Sequence, residues 1–272
     1  MVKIKVKLEE TRSTPPPTSG EIMKIVLMSD LHLEFYRSMD PVDKMKEILT
    51  DIDYSDCIGA FVGDIHIRYQ APELLEQLQH RFKQIIFLPG NHDLWGANIA
   101  DIGSHFLDRS NETFMIDDIQ FTCAVGWAYQ FQRFNPMQEL LFKTSLFEHD
   151  RIKWREHAFT WENWLHLAQI DSDAIFAPKL PGARKKVVLT HYPPSDVMSD
   201  DRFLGNQANF LFASSYDGML ADGDGDIDMW LSGHTHHRTS ATIGGTSLVS
   251  NPLGYPHEIN DEAYQPIVLT VT

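Results

Sequence analysis

Five times in this chain a short apolar run stops and an Asp, Asn or His follows at once. The segments are Met28-Ser29-Asp30-Leu31-His32, Val62-Gly63-Asp64, Pro89-Gly90-Asn91-His92-Asp93, Leu189-Thr190-His191 and Ser232-Gly233-His234-Thr235-His236. Runs of four to eight apolar residues read as buried strands, here over residues 25–30, 57–64, 85–89, 119–126, 186–191, 229–233, 246–251 and 267–271. Helical patterns alternate with them: Asp40-Pro41 is a cap with proline at the first helical position, and Pro72 opens ELLEQLQHRF. Strand, helix, strand repetition predicts an α/β layered fold with its sheets covered by helices. In such folds ligands gather outside the carboxyl ends of the strands, so all five polar segments are expected on one rim.

The remainder of the chain is organised around that unit. Residues 1–22 alternate Val2, Ile4, Val6 and Leu8 with lysines and then run through Pro15-Pro16-Pro17, the pattern of a flexible N-terminal extension. The compact domain is expected over 23–272. Within it, 127–182 is rich in aromatic residues and has helical character over 136–149 and 153–170; these are read as helices covering the sheet, with a minority lining a pocket. Gly244-Gly245 reads as a hairpin turn.

Charge and cysteine usage narrow the partners. A formal charge of −15 argues against a long polyanion such as duplex DNA. Cys57 and Cys123 sit in apolar surroundings and are too few for a disulfide framework. With no apolar run of membrane-spanning length and no secretory pattern, the expectation is a cytoplasmic protein with no membrane partner. Its oligomeric state is not encoded in any pattern of the sequence.

The chemistry lies in the polar segments. Residues two apart on an extended chain point to the same side, so Asp30 with His32, and His234 with His236, are each expected to converge on one centre. Imidazole and carboxylate suit borderline to hard divalent metals, and no cysteine takes part. Asp30, His32, Asp64, Asn91, His191, His234 and His236 give seven donors, more than one four-coordinate ion uses. Two ions sharing a carboxylate fit that number, with manganese, iron, zinc and nickel all chemically admissible. His92 is left over beside the site, with Asp93 next to it to bias its protonation.

The ordered set D-x-H, GD, GNHD, a lone H after a strand, and GHTH resembles the calcineurin-like metallophosphoesterase superfamily over 23–272. That resemblance implies a two-sheet sandwich flanked by helices. It implies one metal on Asp30, His32 and His236, another on Asn91, His191 and His234, and Asp64 bridging both. It also implies that His92 contacts the phosphate and protonates the leaving oxygen, with Asp93 orienting it. The implied reaction is hydrolysis of a small phosphorylated substrate by hydroxide held between the ions. A cyclic-nucleotide or other small phosphodiesterase is the nearest alternative, and a non-catalytic protein-binding scaffold on the same fold is the alternative from another class. Where the superfamily often has an acidic or polar residue shortly after GD, this chain has His66, a candidate substrate contact. The segment Ile243–Tyr255 resembles short bacterial members in which a hairpin and NPxGY follow GHTH; Asn251, Pro252 and Gly254 are read as shaping a loop.

Other signals are set aside. The run Asp222–Asp228 lacks the Gly and Glu of a calcium loop at the required places. Arg184-Lys185-Lys186 reads as a solvated strand entrance, and His80, His105, His149, His157, His166 and His257 as surface or core residues. His237 and Arg238, which directly follow the GHTH segment, are candidate phosphate contacts.

Overall fold

A computed structural model describes residues 22–50, 52–130, 136–203, 205–258 and 264–272. Residues 1–21 of the expected extension lie outside the described residues; the first strand opens at Met23. In chain order the strands are β1 Met23–Met28, β2 Tyr54–Val62, β3 Phe82–Leu88, β4 Glu112–Ile116, β5 Ile119–Cys123, β6 Lys153–Trp154, β7 His157–Ala158, β8 Lys185–Leu189, β9 Met229–Ser232, β10 Thr239–Ile243, β11 Thr246–Ser250 and β12 Ile267–Val271. The α-helices are α1 Pro41–Leu49, α2 Ala71–Glu76, α3 Pro136–Ser145, α4 Glu148–Arg151, α5 Trp161–Ile175 and α6 Asp217–Asp222.

Two main sheets result, a four-stranded one in the order β12-β1-β2-β3 and a six-stranded one in the order β10-β11-β9-β8-β5-β4. Strands β1, β2 and β3 run parallel, as do β5, β8, β9 and β11. Alternation along each strand divides the core. Ile25 and Leu27 of β1 face Phe121, Val187 and Leu231 of the other sheet, while Val26 and Met28 pack with Met45, Ile48 and Leu49 of α1. On the far side of the larger sheet, Val188, Trp230 and Leu248 meet Ile175 and Leu220. Both faces of each sheet are covered, which is why the central strands read as nearly continuous apolar runs.

The eight expected strands all form, and the sandwich flanked by helices is present. Gly244 and Gly245, at φ 56° and 96°, make the β10–β11 turn. The helix expected over 153–170 is displaced: β6 and β7 form a short hairpin, and α5 starts only at Trp161, where Thr160 and Asn163 cap each other's backbone. The helix expected over 136–149 breaks in two, α3 ending at Ser145 and α4 starting at Glu148. Trp127, Phe142, Phe159, Trp161, Trp164 and Tyr192 cluster as a buried aromatic layer against this region.

Candidate metal centre

Strands β1, β2, β3, β8 and β9 stop just before Ser29, Gly63, Pro89, Thr190 and Gly233, so their following loops share one rim. Five of the seven candidate donors then adopt left-handed backbone: Asp30 (φ 53°), His32 (45°), Asp64 (56°), His234 (71°) and His236 (49°). Each such residue costs about 1–3 kcal/mol and persists only where its surroundings fix it. Here they do. Asp30 N–H donates to the Gly63 carbonyl and His32 N–H to that of Asp64, while His234 N–H donates to the Asp30 carboxylate. Gly90 is required by close approach, since a Cβ there would collide with the Asp64 carboxylate.

The expected donors fall into two groups, and a third set, His32, Asp64 and His92, overlaps both. In the first, Asp30, His32 and His236 converge, with His32 Nε2 and His236 Nε2 3.0 Å apart and His236 Nε2 3.4 Å from Asp30 Oδ1. In the second, Asp64, His191 and His234 converge; His191 Nε2 lies 3.0 Å from Asn91 Oδ1, 3.2 Å from His234 Nδ1 and 3.4 Å from Asp64 Oδ2. Asp64 Oδ2 is also 3.8 Å from His32 Nε2, so one carboxylate faces both groups. His234 and His236 do not converge on one centre. Each joins a different group, His234 with Asp64 and His191, His236 with Asp30 and His32.

Second nitrogens and second oxygens decide whether these atoms can bind a cation. His32 Nδ1 lies 3.3 Å from Glu34 Oε1, His236 Nδ1 2.6 Å from Glu258 Oε2, and His191 Nδ1 3.0 Å from the Val62 carbonyl. Donation at Nδ1 leaves each Nε2 a lone pair whenever the ring is neutral. Asn91 Nδ2 donates to the buried Glu148 Oε1 at 2.7 Å, so the amide oxygen is the end turned to His191. Acceptor thus faces acceptor at about hydrogen-bond distance in both groups, an arrangement that a proton or a cation must hold together. Burial and the neighbouring His191 pull the pKa of His234 down, keeping it the neutral imidazole that a metal needs, and its buried Nε2 has no hydrogen-bond partner. Burial opposes a charge on His236, yet Asp30 and Glu258 outweigh it and carry the pKa up to about 10, so a cation bound there would take the place of a proton on this ring. The residues present fit divalent cations.

His92 sits in neither group's Nε2 contact. Its Nδ1 is 3.5 Å from Glu34 Oε1, its Nε2 is 3.0 Å from the Tyr255 hydroxyl, and its ring stacks on Trp95 at 3.5 Å between centroids. The Arg151 guanidinium lies 4.1 Å from the Trp95 ring centroid. Burial disfavours the ionised Glu34, but the neighbouring His32 and His92 imidazoles prevail and bring its pKa to about 2. His32 Nδ1, at 3.3 Å, and His92 Nδ1, at 3.5 Å and without a hydrogen bond, both face Glu34 Oε1.

Asp93 has a different task from the one expected beside His92. Its buried carboxylate accepts N–H groups from Asp64 (2.6 Å), Gly90 (2.8 Å), His66 (2.9 Å) and Ile65 (3.2 Å), clasping the loops after β2 and β3 together. The carboxylates near the His92 ring are Glu34 and Asp64. His66 joins neither donor group, and its Nδ1 faces the Ile67 carbonyl at 3.1 Å. Glu34, Glu148, Tyr255 and Glu258 are the residues that sequence reasoning missed. Only Glu34, which extends D-x-H to D-x-H-x-E, and Tyr255, inside the NPLGY segment, carried a signal that could have found them.

With that geometry in view, comparison with known proteins is decisive at one level. The profile of the calcineurin-like phosphoesterases matches residues 23–238. The chain belongs to this family. It is a phosphoester hydrolase that depends on divalent metal ions, and its His/Asp groups are suited to hold them. The uncharacterized protein L509 of Acanthamoeba polyphaga mimivirus is 24% identical over 273 residues, covering 86% of this chain and 92% of that protein. The crystal structure of phosphopantetheinyl hydrolase from Mycobacterium tuberculosis has the same fold, with a TM-score of 0.60 at 13% identity over 90% of this chain and 95% of that one. A dimetal phosphatase from Danio rerio matches over 92% of this phosphoesterase and 99% of its own chain at 10% identity, with a TM-score of 0.46. Among the described residues no helix is long and apolar enough to cross a membrane.

Proposed function

We propose that this protein hydrolyses a small phosphate ester with two divalent cations, one on Asp30, His32 and His236, the other on Asn91, His191 and His234, with Asp64 shared. One observation carries the reading: Asp64 Oδ2 stands 3.4 Å from His191 Nε2 and 3.8 Å from His32 Nε2, and the other ring nitrogen of each of these two histidines is already engaged. When bound, two such ions supply a water acidified toward neutrality and positive charge opposite the phosphoryl oxygens.

The chain's own residues do the rest. Water adds to phosphorus, the P–O bond to the alcohol breaks, and the departing oxygen takes its proton from His92. That proton is recovered through solvent from the attacking water, so no phospho-enzyme is formed. Glu34 faces His92 Nδ1 and so leaves Nε2 as the atom that serves the leaving group. The stack of His92 on Trp95, with Arg151 beyond it, restricts rotation of the imidazole. Buried Asp93 keeps the Asp64 and Asn91 loops at fixed separation by its four N–H contacts.

The test is an assay of 4-nitrophenyl phosphate and bis(4-nitrophenyl) phosphate side by side, with protein that is chelated and then reloaded with manganese, zinc, iron or nickel. Turnover of either ester that disappears on chelation and returns on reloading is expected, and the preferred ester assigns the protein as a monoesterase or a diesterase. Absence of turnover with every metal would leave the fold as a binding platform and overturn the reading.

A further inference from the structure

Tyr255 lies beyond the 23–238 stretch that matches the family, yet its hydroxyl is 3.0 Å from His92 Nε2. We propose that Tyr255 is a catalytic residue, its phenol O–H donating to a phosphoryl oxygen while the adjacent His92 imidazole serves the leaving oxygen. The proposal rests on the phosphoesterase reading above and assigns a second donor to the same reacting group.

Several features place the phenol there. After β11, Leu253 N–H donates to the Ser29 carbonyl and Gly254 N–H to that of Asp30, and Pro252 pairs with Ser29 as a parallel bridge. Asn251 Nδ2 donates to the Leu27 carbonyl from a fully buried position. The segment is thus stitched to the strand end that carries Asp30 and His32. Glu258 Oε2 then accepts both the Tyr255 N–H, at 3.0 Å, and His236 Nδ1–H, tying the tyrosine backbone to a candidate metal ligand. The Tyr255 ring lies between His32, His236 and Phe35, at centroid distances of 4.4, 4.6 and 5.2 Å.

Packing alone would be met by phenylalanine, since those ring contacts need no hydroxyl. The hydroxyl is placed against the one imidazole nitrogen that the chemistry uses. Before substrate binds, His92 Nε2–H donates to the phenol oxygen and leaves the phenol hydrogen free; a bound ester takes the phenol hydrogen at a phosphoryl oxygen and turns the Nε2–H to its leaving oxygen. One donor aimed at charge that grows in the transition state contributes on the order of 10²-fold in rate.

Tyr255→Phe removes the hydroxyl and keeps the ring. In manganese-loaded protein with unchanged metal content and melting temperature, the variant is expected to lose on the order of 10²-fold in kcat on both an alkyl and a nitrophenyl phosphate. Its affinity for inorganic phosphate, measured by calorimetry, should fall roughly 10-fold, as for loss of one hydrogen bond to a charged group. The fall in phosphate affinity should persist in a His92→Ala background. Wild-type rates and phosphate affinity in Tyr255→Phe would overturn the proposal. So would an effect confined to the alkyl ester and lost without His92, which would make Tyr255 a positioning group for the imidazole. If the wild type turned over no ester, the phosphoesterase reading would fall, and the phosphate arm alone would decide whether the phenol contacts the anion.

Discussion

Asn91 and Glu148 are 57 residues apart in sequence and 2.7 Å apart in space, and the hydrogen bond between them decides which end of the Asn91 amide faces His191. Glu148 begins α4, in the region where the sequence suggested one continuous helix. Its other oxygen is buried without a partner, so the side chain has no competing role among the described residues.

Glu148→Ala frees the amide to rotate and is expected to weaken the ion held through Asn91 by 10–100-fold, the usual range for groups that orient metal ligands. Glu148→Gln, which can still offer an oxygen, should lose less. Calorimetric titration of metal-free protein with manganese reads both values. Wild-type affinity in Glu148→Ala would remove Glu148 from the centre's support.

His92→Ala should retain metal but slow an alkyl phosphate far more than a nitrophenyl phosphate. A general acid contributes about 10²–10⁴-fold, and the benefit fades when the leaving group departs without a proton. Rates on the two esters, together with metal content by elemental analysis, check this. Loss of metal would instead make His92 a ligand, a role its proximity to His32 and Asp64 permits.

The strand ends were legible because burial on both faces leaves long apolar runs, and the polar residues after them break those runs sharply. What the sequence could not carry was backbone conformation beyond the strands. Treating Ser232–His236 as extended put His234 and His236 together, whereas neither is extended and they join separate groups. Adjacency misled in the same way at Asp93, whose carboxylate is taken up by four backbone N–H groups while Glu34 lies beside His92. Glu148 and Glu258 reach the centre from single positions with no period or motif around them. The start of α5 was missed because Thr160-x-x-Asn163 caps it, a pairing less conspicuous than Ser/Thr with Glu or Gln.

A pH prediction comes from α5, away from the metal centre. Asp171 is buried and accepts Gly126 N–H at 2.8 Å and Trp127 N–H at 3.2 Å; burial outweighs these bonds and raises its pKa to about 7. A carboxyl raised in the folded state favours folding while protonated, so its contribution is present below the unfolded value of about 4 and is lost as pH climbs toward 7. Asp171→Asn removes that loss. The melting temperature of the variant relative to wild type should therefore rise from pH 5 to pH 8, and thermal melts across that range that run parallel would contradict it.

The central claim is that two cations share Asp64, and the most direct measurement is turnover against bound metal in one titration. Metal-free protein is loaded stepwise with manganese while bound ion and hydrolysis of a nitrophenyl phosphate ester are followed together, with Asp64→Ala alongside. The account predicts that wild-type activity rises to its maximum only as the second equivalent binds, and that Asp64→Ala loses affinity at both positions. Full activity at one equivalent, or an Asp64→Ala protein that still binds two ions with wild-type affinity, would contradict it.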